Sequence, residues 1–306
     1  MKNLKGSIIL LITAVIWGTS FVAQSMGMDH IEPFTFNALR TLTGGLVLIP
    51  VLFGFRLFSK RAPEEAPKKA PLKTTILGGI CCGFVLFIAS SFQQAGIVTT
   101  TAGKSGFVTA LYLIIVPIIA LILGQKQKKK IWFCVVLAIA GFFLLCIKPE
   151  DFSVSQGDLL TLACAFFFAV HIMVIDRFNS KNVDGPLMAC IQFFTAGTLM
   201  LIMMFIFEKP QLHLIWNARY SILYAGVMSC SIAYTLQIIG QRYTAPALAT
   251  LIMSLESVFA VLSGCIILGE SLSLREISGC VMVFAAVLIA QLELPLKNKK
   301  IEKREI

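Results

Sequence analysis

The sequence predicts an all-α integral membrane fold, ten transmembrane helices in two inverted five-helix repeats, from its composition, the spacing of its apolar runs and a weak internal repeat. The 306 residues are 57% hydrophobic and 14% charged, too little polar surface to cover a soluble globule of this size. A helix crossing the bilayer core needs about 20 apolar residues at about 1.5 Å rise each. Ten such runs with short connections consume nearly the whole chain, which leaves no room for a separate soluble domain.

The spans read as 6–28, 34–55, 74–97, 101–123, 131–147, 157–177, 186–207, 219–241, 245–268 and 276–293. Lys2 and Lys5 ahead of the first run resemble the start of a signal peptide. The run continues through Trp17 and Gln24 with no small-x-small cleavage site, so it is retained as a span. Pro33, Pro186 and Pro246 lie at or near starts of the second, seventh and ninth spans, where a missing N–H costs nothing. Pro149, Pro210 and Pro295 follow the ends of the fifth, seventh and tenth. Between the second and third spans, RLFSKRAPEEAPKKAPLK at 56–73 is basic and proline-broken, which reads as a flexible loop. GQKQKKK at 124–130 is a second basic loop on the same side.

A formal charge of +10 would suggest nucleic acid in a soluble protein, but the charges sit in alternate loops. With the N-terminus inside and the span-end residues Arg177 and Arg219 counted with their adjoining loops, 20 of the 26 Lys and Arg fall on the cytoplasmic side, 4 outside and 2 within spans. This is the positive-inside pattern, so the reading is a multi-pass inner-membrane protein with both termini cytoplasmic and no nucleic-acid partner. All nine Cys lie in apolar stretches without a CxxC pair or metal spacing, and read as reduced packing thiols. No GxxxxGK[ST] occurs, so no ATP hydrolysis is expected. No metal or cofactor is expected either. An intramembrane enzyme lacks parts, because His30, His171 and His213 are the three histidines, two lie in loops, and no carboxylate pair or Ser/His/Asp set shares a plausible site.

The repeat divides the chain at 1–150 and 151–306. LLITAVIWGTSFV followed by EPFTFNALRTLTGG in the first half answers LLTLACAFFFAVH followed by DGPLMACIQFFTAG in the second. QQAGIVTTTAGKSGFVTALY and a terminal LILGQ answer QIIGQRYTAPALATLIMSLE and a terminal IILGE. The register pairs Trp17 with Phe168, Arg40 with Gln192, Gly45 with Gly197, Gly96 with Gly240, Tyr112 with Glu256 and Gly124 with Gly269. Five spans per half is an odd number, so the second half enters the membrane in the opposite direction. Inverted repeats supply two interchangeable packings, the basis of alternating access, with a site near midplane between the repeats.

Five stretches in order, WGTSF at 17–21, NALRTLTGG at 37–45, TTAGKSGFVTALY at 100–112 with Pro117, SLESVFAVLSG at 254–264 and LGE at 268–270, resemble the drug/metabolite transporter superfamily, EamA type. The resemblance covers essentially the whole chain. It implies a ten-helix basket whose central cavity is lined by helices 1–4 and 6–9, with helices 5 and 10 peripheral, and substrates ranging over amino acids, purine-like metabolites, amines, cofactors and drugs. Two departures stand out: Gln125 ends the first-half counterpart of LGE, and Phe168 stands where the second repeat usually has Trp.

Polar side chains in hydrocarbon need a partner or a water-filled path. Thr13, Trp17, Ser20 and Gln24 share one face of the first span, and Thr101, Ser105, Thr109 and Tyr112 one face of the fourth. Tyr234, Gln237 and Gln241 mark the eighth, and Ser90, Gln93 and Gln94 the third. Ser and Thr read as helix contacts. The candidate substrate-binding residues are Trp17, Gln93, Tyr112, His171, Tyr234 and Gln237. Glu256, about 16 Å into the ninth span, lies near the bilayer centre. Arg40 and Lys104 lie within two turns of the outer ends of theirs, where long side chains can snorkel. Two readings stay open for these charges: recognition of a zwitterion, with a cation for its carboxylate and Glu256 for its amine, or internal hydrogen bonds that hold the fold. His171 likewise reads as a hydrogen-bonded core residue or a proton carrier.

The expectation is therefore a secondary transporter exporting amino acids or related small metabolites, driven by substrate gradients or protons, as a monomer or weak homodimer. Carriage of organic cations, quaternary amines or drugs is the alternative.

Overall fold

In the computed structural model, which describes residues 2–59, 70–97, 107–147, 155–268 and 272–292, the chain is a bundle of ten apolar helices with no strand among the described residues. They are α1 (Lys2–Met28), α2 (Pro33–Ser59), α3 (Leu72–Ile97), α4 (Phe107–Ile122), α5 (Lys129–Cys146), α6 (Gln156–Asn179), α7 (Gly185–Phe207), α8 (Arg219–Gly240), α9 (Pro246–Ile267) and α10 (Leu274–Gln291). Nine have the length and apolar character to cross a membrane, and α4 is a shorter apolar helix whose preceding residues lie outside those described.

Local chemistry sets the ends. Ser155 and Asp158 form a reciprocal capping box at the start of α6, and Ser273 with Glu276 does the same for α10. Asp184 caps α7 with Pro186 in its first turn. The end of α4 explains the LGQ run. Gly124 adopts φ +82°, Gly124 N–H donates to Leu121 O at 2.9 Å and Gln125 N–H to Ala120 O at 2.8 Å. This pair of bonds satisfies the last carbonyls of the helix and requires a residue that tolerates the left-handed region.

The two halves interlock. α3 packs on α6 and α7, and α8 packs correspondingly on α1 and α2; α4 meets α6 as α9 meets α1. α2 with α7 and α5 with α10 are pairs in which each helix meets its own counterpart. The packing units are therefore α1, α2, α8 and α9 on one side and α6, α7, α3 and α4 on the other, not the sequence halves.

Close backbone approaches repeat under the same exchange. A Cβ on Gly45 would meet the Phe194 ring at 3.3 Å, and one on Gly197 would meet Leu42 at 2.7 Å. A Cβ on Gly96 would lie 2.9 Å from Gly157 O, and Gly6, the counterpart of Gly157, lies 3.0 Å from Gly240 O by the same measure. Small residues let helices approach closely in lipid, where apolar side chains gain little by leaving the acyl chains. α5 and α10 also cross at glycines, Gly141 against Gly279, and stand apart from the central site as the resemblance implied.

Three of the helices are interrupted. α8 is π-helical over Ala225–Ala233, and α9 ends in a π turn at Gly264–Leu268. α4 and α9 each break just before their central polar residue, at Leu111 ahead of Tyr112 and at Ser254 two residues ahead of Glu256, with nearly identical backbone angles (φ −62°, ψ −12° and φ −64°, ψ −14°). An interruption of this kind re-aims side chains without changing apolar composition, so the sequence pattern carries no trace of it.

Candidate substrate cavity

Each helix that brings a polar stripe inward contributes to one cavity, with about 640 Å³ of atom-free space including its mouth. α1 supplies Trp17, Phe21 and Gln24, α2 Arg40, α3 Gln93, and α4 Thr109 and Tyr112. α6 supplies Phe168, His171 and Ile172, α8 Ser229, Tyr234 and Gln237, and α9 Met253 and Glu256. All six candidate binding residues and two of the three candidate charges thus share one site. Lys104, Thr101 and Ser105 lie outside the described residues.

The lining is built from repeat counterparts. Trp17 faces the cavity as Phe168 does, and Tyr112 as Glu256 does. The same register pairs Phe21 with Ile172, Gln93 with Gln237 and Thr109 with Met253, and all of these line it too. Gln24, Arg40, His171, Ser229 and Tyr234 break the symmetry and give the cavity its direction. Towards the end where α1 finishes, Phe21 is 37% exposed and Gln24 and Gln93 are partly exposed. Towards the other end His171, Ile172, Gln237 and Met253 are buried, and below them Leu10, Ile238, Leu251 and Ile252 are fully enclosed.

Glu256 accepts a long hydrogen bond, 3.4 Å, from the Tyr112 hydroxyl. The two residues exchange places under the repeat, so this contact lies close to the pseudo-twofold axis. Arg40 is buried instead of snorkelling to the interface. Its Nε donates to Asn37 Oδ1 at 2.8 Å, and its guanidinium lies 5.7 Å from the Phe36 ring centroid. Arg40 and Glu256 form no ion pair among the described residues, so each charge is presented to the same space separately.

Aromatic rings form the wall between the charges. Trp17 meets Tyr234 edge-on at 4.8 Å, and His171 meets the same ring at 6.1 Å. His171 Nε2 is 2.9 Å from Gln192 Oε1, so the histidine is tied to the helix that carries the counterpart of Arg40. Trp17 Nε1 and Gln237 Oε1 are buried, and no hydrogen-bond partner for either is found among the described residues. An unpaired buried donor or acceptor is costly, and this donor and this acceptor belong to residues of the cavity wall.

Other stripe residues serve packing. Thr13 donates to Ile9 O at 3.1 Å and reaches Ala233 O at 3.4 Å. Ser20, Ser90, Gln94 and Gln241 are buried away from the cavity. Sequence reasoning did not single out Phe21, Ile172, Ser229 or Met253. A usable signal existed for Phe21 and Ile172, each one helical turn beyond Trp17 or Phe168. Metal-ligating groups do not cluster among the described residues.

A profile described as the EamA-like transporter family matches residues 4–147 and again 155–291. The chain is 28% identical over 293 residues to an uncharacterized transporter of Archaeoglobus fulgidus, covering 95% of this chain and 87% of that one. It is 24% identical to protein PecM of Dickeya dadantii, with 95% and 94% covered, and 25% identical to the uncharacterized inner membrane transporter YedA of Escherichia coli K12, with 90% and 87% covered. A solved crystal structure superposes with a TM-score of 0.78 at 19% identity, covering 94% of this chain and 96% of that one.

Proposed function

Because this chain belongs to the EamA-like transporter family, we propose that it is a secondary carrier that exports amino acids or related small metabolites from the cytoplasm by alternating access. The observation that carries the reading is the pairing, in one cavity lined from both repeats, of a buried arginine and a separate carboxylate flanked by aromatic rings and amides. Arg40 takes the substrate's carboxylate. Glu256 takes its ammonium and is the candidate site for a coupled proton. Trp17 and Tyr234 supply apolar contact, with Trp17 Nε1 and Gln237 Oε1 available to polar atoms of the substrate.

The excess of Lys and Arg in the loops at 56–73 and 124–130 supports a cytoplasmic placement of that end and of both termini. The cavity end then faces outward. A location in the inner membrane agrees with the printed description of the Escherichia coli relative. The two successive profile matches, 4–147 and 155–291, support a division into repeats at 1–150 and 151–306.

The edge-on aromatic pair and Glu256 also favour an organic cation. Arg40 in the same lining repels one, which places the zwitterion ahead. A thermal-shift screen of the purified protein over amino acids, purines and quaternary amines tests this, since a ligand that binds the folded state raises its apparent stability. Stabilisation by amino acids and not by the matching amines is expected. Stabilisation by quaternary amines alone would overturn the reading.

A further inference from the structure

Contacts between the two packing units differ at the two ends of the cavity. At the end opposite the mouth, the turn joining α6 to α7 lies against the end of α8. There Arg242 Nε donates to Asn179 Oδ1 at 3.2 Å, Arg242 Nη2 donates to Val183 O, and Asn179 Nδ2 donates to Ile238 O at 2.8 Å. A guanidinium and an amide thus fasten one unit to the other at three points. Gly185 lies in the same seam, where a Cβ would crowd Ile238 Cγ2 at 3.1 Å. Partial burial pulls the Arg242 guanidinium below its ordinary pKa, and the nearby Asp184 opposes that shift. The repeat does not reproduce these residue types, since Val98 stands against Arg242 in the sequence register. The same register sets Met28 against Asn179 and Gln94 against Ile238, and a thioether cannot make the amide's two bonds. The units are also joined at the mouth end, where Glu208 at the end of α7 accepts from Phe34 and Thr35 at the start of α2. The cavity is open at that end and enclosed at the Arg242 end, however, so the Arg242 contacts have the position of a gate.

We infer that Arg242 clamps the α6–α7 turn to α8, seals the cavity at its cytoplasmic end, and releases when the carrier opens to that side; the inference rests on the alternating-access reading above. Beneath the clamp, Leu10, Ile238, Leu251 and Ile252 complete the seal. Loosening the clamp therefore shifts the population away from the outward-open form. Loss of one ordinary hydrogen bond moves such an equilibrium by about fivefold.

Hydrogen–deuterium exchange on the full-length protein in nanodiscs, with no ligand added, tests this for Arg242→Ala and Arg242→Lys. In Arg242→Ala, exchange over 172–185 and 234–245 rises by about fivefold or more, while exchange over 28–40 at the mouth falls. Arg242→Lys, which keeps the charge but not the fork, lies between. The fall at the mouth is the decisive reading, because a merely structural contact would raise exchange without lowering it anywhere. A rise confined to the two turns, or no change in either variant, overturns the clamp. If Arg242→Ala does not fold, the lysine variant alone must show the reciprocal pattern, and its absence overturns the clamp equally. Substrate plays no part in this measurement, so reciprocal exchange in a protein that no amino acid stabilises would sink the proposed function and leave the clamp standing.

Discussion

Replacing Arg40 with Gln separates recognition of a carboxylate from everything else the cavity does. Arg40 spends Nε on Asn37 and holds its guanidinium 5.7 Å from the Phe36 ring, which leaves its paired terminal N–H groups for the two oxygens of a carboxylate. A hydrogen bond to a charged group contributes about 1.5–3 kcal/mol. Its loss therefore weakens binding by about tenfold to 150-fold. The assay is calorimetric titration of wild type and Arg40→Gln with an amino acid and with the amine obtained by removing its carboxylate. The variant is expected to lose affinity for the amino acid by that factor and to keep, or improve, its affinity for the amine, since a repelling cation has gone. Equal losses for both ligands would show that Arg40 supports the cavity wall and does not read the carboxylate.

Three further substitutions test the framework around the site. Gly18→Ala places a Cβ 2.4 Å from Phe259 Cβ and 2.8 Å from Glu256 O, forcing α1 from α9; a destabilisation of about 1–3 kcal/mol is expected as a lower melting temperature, and an unchanged one would refute the packing. Glu208 Oε1 accepts from Phe34 N–H, and its Oε2 from Thr35 N–H and the Thr35 hydroxyl, each at 2.6 Å, so it caps α2 from the end of α7. Glu208→Ala should cost about 1–2 kcal/mol in denaturant titration, with Glu208→Gln intermediate, and equal stability of all three proteins would contradict the cap. Gln192→Leu leaves His171 buried without its partner and should cost about 1–3 kcal/mol; wild-type stability would mean that the histidine is satisfied elsewhere.

What was legible in the sequence follows from what a period can encode. Ten apolar runs, proline and glycine punctuation and the loop charges define the order and ends of the helices, because each signal is local. The repeat register was legible as well, and it proved the best guide to the cavity: Gln93 with Gln237 and Tyr112 with Glu256 are counterparts that meet at one site. Phe21 and Ile172 could have been found one helical turn beyond Trp17 and Phe168, but Met253 could not, because an apolar residue facing a cavity has the same chemistry as one facing lipid. The π-helical stretch of α8 escaped for the reason already given. Arg242 escaped because its partners, an amide and a carbonyl 63 and 59 positions away, leave no mark on its own neighbourhood.

The exchange of partners between repeats was the least legible feature and carries the largest mechanical consequence. An inverted repeat suggests that one half rocks against the other, but α3 is held by α6 and α7, and α8 by α1 and α2. Close approaches such as Gly96 over Gly157 and Gly6 over Gly240 lock those pairings, and tightly packed interfaces of this kind do not slide freely. Motion that keeps them intact must turn about the seams where the units meet, α2 on α7 and α5 on α10, each helix against its own counterpart, and must break polar contacts away from those seams. The Tyr112–Glu256 contact lies near the axis, so exchanging the two packings returns it to itself. The register sets Met28 and Val98 against Asn179 and Arg242, residues that cannot form the same side-chain bond, so the same exchange must break the Arg242–Asn179 contact. A substrate held near the first contact can therefore remain bound while the second opens.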